Sequence, residues 1–221
     1  MARPRGNYAV TAARREAIIQ AALEIFGKSG YSGSSLKQVA EAVGMTEAGI
    51  LHHFGTKGNL LIEVLQTRDD KSAEFIPLEG AEPLDFVIGW LELVDYNVSQ
   101  PGIIELYAKL SAEATAANHP AHGHFMNRYK FVSDFNVRYF EILKSARFLK
   151  TNRDSQSLST ALIAISDGLQ IQWLLDPTIS IRQALSDFFE SILTTEAWSA
   201  VLDSLAKKQS DALEKDLLQI A

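Results

Sequence analysis

Residues 34–57, SSLKQVAEAVGMTEAGILHHFGTK, contain two short amphipathic helical patterns separated by a glycine. Gly44 can adopt the positive φ that a tight turn between helices needs. Thr46 is a suitable N-cap for the second helix, which then places Ile50 and Phe54 on one buried side. This order predicts a helix-turn-helix, in which the first helix braces the second and leaves its outer face exposed.

Apolar residues recur at helical spacing along almost the whole chain, and no convincing strand pattern is found. Gly30 can end the first helix, Ser35 with Gln38 fits a capping box, and Thr56 can cap a fourth helix. Prolines and a glycine interrupt the pattern near residues 75–83. Beyond that break we expect longer helices at 83–99, 101–117, 120–147, 154–175, 181–195 and 196–219.

These patterns predict an all-α protein with two parts. Residues 1–56 form an N-terminal arm and a three-helix module that contains the helix-turn-helix, and residues 57–75 form a connecting helix. Residues 76–221 form a larger helical domain.

The composition excludes several classes of protein. The chain has 221 residues and no cysteine, which excludes disulfides, thiolate catalysis and cysteine-ligated zinc. The N-terminus lacks the apolar stretch of a signal peptide, and the apolar runs are too short to span a bilayer. We therefore expect a cytoplasmic protein without a membrane partner.

The net charge of −6 conceals an uneven distribution. Residues 1–60 carry seven basic and four acidic residues, a charge of +3, which leaves −9 for the remainder. Attraction to phosphate is a local field effect, so a basic module on an acidic body is compatible with binding to nucleic acid.

The predicted module offers the groups that contact DNA. Phosphates are bound by cations, hydroxyls, imidazoles and helix N-termini. Candidates for such contacts are Ser34, Ser35, Lys37, Thr46, His52, His53, Thr56 and Lys57. Bases are read from the first turn of the recognition helix, here Glu47, Ala48 and Gly49. Glu47 can accept from cytosine N4, and Ala48 can touch a thymine methyl. Gly49 costs about 1 kcal/mol relative to alanine in a helix, which close approach of the backbone to DNA would explain.

With these residues in place, the N-terminal region resembles the TetR family of bacterial transcriptional repressors. The matching residues are Phe26, Gly30, Tyr31, Ser34, Ser35, Leu36, Val39, Ala40, Val43, Gly44, Met45, Thr46, Ile50, His53, Phe54, Lys57, Leu60 and Leu61. The resemblance covers roughly residues 11–65 and implies that positions 47–49 read bases while His53 and Lys57 hold phosphates. The family often has tyrosine at the position of Leu51, where leucine can contact a thymine methyl instead.

The resemblance further implies a homodimer on a palindromic double-stranded operator, released by a small-molecule ligand of unknown identity. The family dimerises through a four-helix bundle, for which we expect helices near residues 160–175 and 181–195. An apolar cavity with a few polar groups is typical of ligand sites. Candidate lining residues are Trp90, Asn97, Tyr107, Phe125, Tyr129, Asp167 and Trp173, and the same residues can equally be plain core.

Other interpretations stay open at this stage. Arg3 and Arg5 fit either a disordered tail or an arm in the minor groove. His119, His122 and His124 fit an exposed loop better than a metal site, and no cofactor is expected. The chain lacks G-x-S-x-G, H-E-x-x-H and a phosphate-binding glycine loop, so an enzyme is not expected. An activator, an architectural DNA binder, a helical partner-binding protein and, less favoured, an enzyme are the remaining alternatives.

Overall fold

Ten α-helices and no β-strand make up the residues that the computed structural model describes, which are 5–75, 77 and 81–220, with side chains for 11–75, 77, 81–100 and 102–211. The helices are α1 (Arg5–Ser29), α2 (Leu36–Ala42), α3 (Glu47–Phe54), α4 (Lys57–Ala73), α5 (Asp85–Ser99), α6 (Pro101–Glu113), α7 (His122–Ser145), α8 (Ser155–Leu175), α9 (Ile181–Ile192) and α10 (Thr195–Ile220). The all-α fold class expected from the sequence is confirmed.

The short-range signals in the sequence form as expected. Ser35 and Gln38 make a reciprocal capping box, with Gln38 N donating to Ser35 Oγ at 3.2 Å and Ser35 N donating to Gln38 Oε1 at 2.7 Å. Gly49 N donates to Thr46 Oγ1 at 3.2 Å at the start of α3. Gly44 has φ +65°, so it supplies the left-handed residue of the turn between α2 and α3.

Helix ends differ from the expected boundaries where local backbone hydrogen bonds stop the helix. α7 ends at Ser145, because Arg147 adopts φ +60° and Phe148 N donates back to Leu143 O at 2.9 Å. The backbone then continues extended and forms an isolated antiparallel bridge between Leu149 and Leu193. The same bridge stops α9 at Ile192, three residues earlier than the sequence pattern indicated.

The chain divides into two compact units, each of which joins segments that are separated in the sequence. The first unit contains the residues up to Ala73 together with Asn97–Tyr129, and the second contains Glu74–Tyr96 together with Lys130 onward. α6 joins the first unit because Leu106 and Leu110 share one buried apolar core with Phe26 of α1. The first unit therefore includes a segment, Asn97–Tyr129, that begins more than twenty residues after Ala73.

The second unit has an aromatic core around Phe86 of α5. The Phe86 ring stacks on Tyr139 at 5.1 Å between centroids and meets Phe140 and Phe189 edge to face at 5.4 and 6.3 Å. These ring contacts join α5, α7 and α9. They stabilise the fold by more than the burial of their apolar area alone.

Contrary to the expectation that every apolar run is too short, α8 has the length and composition to cross a membrane, as do many core helices of soluble proteins. Only 28% of the apolar stretch of α8 is buried within this chain. The helix exposes Ile171, Leu174 and Leu175, the last with 83% of its surface accessible. Much of this apolar helix is therefore uncovered by the residues that the structure describes.

Candidate nucleic-acid interface

The outer face of α3 is exposed, and its inner face anchors it to the first unit. Ile50 and Phe54 are 0% and 7% exposed, as the sequence pattern predicted. Glu47, Ala48 and His52 are exposed on the opposite side. A helix held on one side by two apolar residues presents its other side as a rigid surface, which is the arrangement that reading a groove requires.

Arg15 of α1 holds the end of α3, and this role was missed by the sequence analysis. Its Nη1 donates to His53 O at 2.7 Å, its Nη2 lies 3.0 Å from Glu63 Oε2, and its guanidinium lies 4.4 Å above the Phe54 ring. Arg15 therefore ties α3 to α1 and α4. The only sequence signal was a basic residue on α1, because the partners lie 38 and 48 residues away.

Lys57, at the start of α4, points back to the turn before α2. Its Nζ donates to Tyr31 O at 2.5 Å and to Ser34 O at 2.6 Å, and it lies 4.3 Å from the centre of the Tyr31 ring. Burial lowers the pKa of this ammonium group, and the charge of Glu113 opposes that effect. Two of the three donors of Lys57 are engaged within the protein, which leaves one for the phosphate contact that the resemblance implies.

The turn before α2 is also held by the end of α6. Tyr31 N donates to Glu113 Oε2 at 3.0 Å, and His119 packs edge to face on the Tyr31 ring at 5.2 Å. Gly30 has φ +68°, and a Cβ there would lie 2.1 Å from Glu113 Oε1. The backbone conformation therefore favours glycine at this position, and a larger residue would also displace the flexible Glu113 carboxylate from the turn.

The remaining candidate phosphate ligands differ in accessibility. Ser34 is buried, and its hydroxyl donates to Tyr31 O at 2.8 Å, so the side chain serves the turn rather than the surface. Ser35 and Thr46 are exposed and use their hydroxyls as helix caps. Lys37 is 72% exposed at its side chain, with Glu41 at 3.9 Å. Thr56 is exposed, and its Oγ1 accepts from Asn59 N at 3.0 Å.

Gly49 has a reason to be glycine besides the approach of DNA. A Cβ at this position would lie 3.0 Å from the Met45 methyl and 3.5 Å from Thr46 Oγ1. The methyl is the end of a flexible side chain that can move. Crowding by Met45 is therefore a mild constraint, and the expected backbone approach to DNA stays a prediction.

The three histidines of the α6–α7 region face different partners. His119 Nε2 lies 3.5 Å from Glu113 Oε2, His122 Nδ1 lies 2.8 Å from Ala114 O, and His124 Nε2 lies 3.2 Å from Asp69 Oδ2. In the part of the chain that the structure describes, no group of three or more potential ligands could hold a metal ion.

The seven candidate ligand-lining residues are divided between the two units. In the first unit, Tyr107 and Phe125 meet edge to face at 5.5 Å, and Phe125 lies 6.4 Å from Tyr129. Asn97 is buried there, and its Oδ1 has no hydrogen-bond partner among the described residues.

In the second unit, Trp90 Nε1 donates to Asn136 Oδ1 at 3.2 Å, while Asp167 and Trp173 are half-buried on α8. The three rings of the first unit are the candidates that the structure brings together. Arg3 and the side chain of Arg5 lie outside the described residues.

Comparison with known proteins finds a family match within the α1–α4 region. Residues 18–64 match the family described as bacterial regulatory proteins, tetR family. The chain is 32% identical over 66 residues to the transcriptional repressor AcnR of Corynebacterium glutamicum, a match that covers 30% of this chain and 35% of AcnR. It therefore spans about a third of the length of this curated relative.

Two further comparisons extend over more of the chain. The transcriptional regulatory protein RaaS of Mycobacterium tuberculosis is 27% identical over 176 residues, which is 77% of each chain. The structure of SmeT, the repressor of a Stenotrophomonas maltophilia multidrug efflux pump, in complex with triclosan superposes with a TM-score of 0.71. SmeT and this chain are 14% identical, and the superposition covers 84% of this chain and 94% of SmeT. The likeness in fold therefore extends to both units.

Proposed function

We propose that the whole chain is a sequence-specific, DNA-binding transcriptional regulator of the cytoplasm rather than an enzyme. The premise is the match of residues 18–64 to the family described as bacterial regulatory proteins, tetR family. The observation that carries the proposal is the exposed outer face of α3. Glu47, Ala48 and Gly49 lie in its first turn, next to the cap made by Thr46. In a helix-turn-helix this turn meets base edges in the major groove.

Phosphate contacts would surround that helix. Lys37 is free to extend toward a phosphate, since its ion pair with Glu41 is long and exposed. His52, His53 and Thr56 flank the other end of α3. Lys57 would contribute by its remaining donor and by holding the turn from which α2 starts.

The chain would act as a homodimer. A reader of a palindrome needs two helices about 34 Å apart, one turn of B-DNA. α8 supplies a surface for that purpose, since its apolar residues Ile171 and Leu175 are 52% and 83% exposed. Contact between two copies through α8 and α9 would cover this face. The exposed apolar residues of α8 would then be buried by protein and not by a membrane.

Within regulation, repression relieved by a small molecule is the form that we propose. AcnR is a repressor by name, and SmeT is a repressor with a small molecule bound in its solved structure. In this chain the same unit contains the reading helices and the ring cluster of Tyr107, Phe125 and Tyr129. Ligand binding and DNA binding would then oppose each other through a shared set of packed helices.

Selection of bound sequences from a random duplex pool tests the proposal. The expected product is a palindrome whose half-sites are spaced by about one helical turn. Affinity should fall steeply with added salt, and Lys37→Ala should reduce the slope of that dependence by about one. Lys130→Ala is the matched control, since Lys130 is an exposed lysine on α7 with a single ion pair to Asp134.

Recovery of no enriched sequence would contradict the function. Equal binding to all duplexes would point to an architectural DNA binder instead. Recovery of a single half-site by a monomer would contradict the dimer.

A further inference from the structure

An ionic network centred on Asp69 joins α4 to α6 and α7. Arg128 Nη1 lies 2.5 Å from Asp69 Oδ1, and the Tyr107 hydroxyl donates to the same oxygen at 2.5 Å. His124 Nε2 lies 3.2 Å from the other oxygen. Arg68 Nη1 is 3.5 Å from Oδ1, at the limit of a hydrogen bond. One carboxylate therefore serves two guanidinium groups.

Among the described residues, this network has two guanidinium groups, those of Arg68 and Arg128, and one carboxylate. Arg68 is only 5% exposed, and its Nε has no hydrogen-bond partner among the described residues. A buried cation without full pairing is destabilising, because burial removes its hydration. Arginine also has a planar fork of donors that fits a carboxylate on two atoms. A second anion would therefore complete the pairing of Arg68 and Arg128.

Aromatic rings surround the charged groups. The Tyr107 ring lies 3.9 Å from the Arg68 guanidinium and 4.9 Å from that of Arg128. It continues through Phe125 to Tyr129 at centroid distances of 5.5 and 6.4 Å. Arg128 has 22% of its side chain exposed and Arg68 has 4%, so a molecule that arrives from solvent meets Arg128 first.

Resting on the proposed function, which calls for an effector, we infer that this effector is a small aromatic carboxylate that binds Arg128 in place of Asp69. Its ring packs beside Tyr107, Phe125 and Tyr129. Arg68 is then the guanidinium group that still faces Asp69, which also keeps the Tyr107 hydroxyl and His124, so that each guanidinium has its own carboxylate. The exchange breaks the Arg128–Asp69 link between α7 and α4 and leaves His124 as the contact of α7 with Asp69. α4 is the helix that begins at Lys57 beside the reading module.

The test uses the full chain and no DNA. Benzoate is compared with benzamide, its neutral isostere, by calorimetric titration and by thermal unfolding at constant ionic strength. We expect saturable binding and a rise in melting temperature with benzoate only, since a ligand that binds the folded state stabilises it.

Arg128→Gln should weaken benzoate binding at least tenfold, and Arg128→Lys should also weaken it, because lysine lacks the planar fork. Lys130→Gln, two residues further along α7, should bind like the wild type.

Three results overturn the inference. These are the absence of benzoate binding, equal binding of benzoate and benzamide, and unchanged benzoate binding by a folded Arg128→Gln protein. The first two need no variant, so the test holds even where Arg128→Gln does not fold. A chain that selects a palindrome but ignores benzoate contradicts this inference alone. A chain that binds benzoate but selects no duplex contradicts the proposed function instead.

Discussion

Replacement of Lys57 by methionine separates a structural role from a DNA contact. Lys57→Met keeps the length of the side chain and removes the ammonium group that donates to Tyr31 O and Ser34 O at 2.5 and 2.6 Å. Each hydrogen bond from a charged donor contributes about 1.5–3 kcal/mol, and the contact with the Tyr31 ring contributes about 0.5–1 kcal/mol. Removing the charge also removes its desolvation, which lowers the pKa of Lys57 in the folded chain.

We therefore expect the free energy of unfolding to fall by about 2–3 kcal/mol. This is the contribution of the two hydrogen bonds minus the cost of desolvating the ammonium group, which methionine does not bear. For a chain of this size the melting temperature should fall by roughly 5–10 °C. Urea denaturation followed by circular dichroism measures the first quantity. Lys37→Met is the matched control, since its 3.9 Å ion pair is exposed, and it should change stability by less than about 0.5 kcal/mol.

DNA titration at several salt concentrations completes the comparison. Loss of a phosphate contact alone lowers the salt slope by about 0.9 and leaves the unfolding transition unchanged. Loss of the hydrogen bonds to the turn destabilises the chain and weakens binding without that change in slope. A Lys57→Met protein as stable as the wild type would refute the structural reasoning and would leave Lys57 as a simple phosphate ligand.

Three further predictions follow from single positions. Gly44→Ala should destabilise the chain by about 1–2 kcal/mol in urea denaturation, because Gly44 has φ +65°. Nothing lies within 4 Å of the added Cβ, so the cost comes from the backbone conformation and not from a clash. An unchanged midpoint would contradict the turn geometry. Gly49→Ala should raise stability by up to about 1 kcal/mol while lowering duplex affinity in an anisotropy titration; equal affinity would remove the need for close backbone approach. Burial raises the pKa of Tyr107 from 10.0 to about 12. As pH rises, the unfolded chain therefore loses the phenol proton before the folded chain does, and the stability that the neutral phenol contributes is lost between pH 10 and pH 12. The difference in unfolding free energy between wild type and Tyr107→Phe should shrink by about 1.4 kcal/mol per pH unit above pH 10, and a constant difference would show that the phenol ionises normally.

Short-range features could be predicted from the sequence because their partners lie within one helical turn. The capping box of Ser35 with Gln38 and the cap by Thr46 each join residues three apart. The turn at Gly44 follows from backbone conformation alone. The apolar spacing likewise placed Ile50 and Phe54 on the buried side of α3.

Long-range features could not be predicted, because nothing local distinguishes the residues that make them. Arg15 reaches His53 across 38 residues, and Lys57 reaches Tyr31 across 26. The sequence indicated a basic residue in each place but not its carbonyl partner. Likewise, Tyr107 was expected as a ligand-lining ring, whereas its bond to Asp69 depends on how α4 meets α6.

The discontinuous first unit has a consequence for protein engineering. A hybrid protein cut near residue 75 would carry α1–α4 away from α6, although Leu106 and Leu110 complete the apolar core around Phe26. Such a graft would expose that apolar surface and would remove the Glu113 carboxylate, which accepts a hydrogen bond from Tyr31 N. Functional chimeras of this protein should therefore transplant both segments, up to Ala73 and Asn97–Tyr129, as a matched pair.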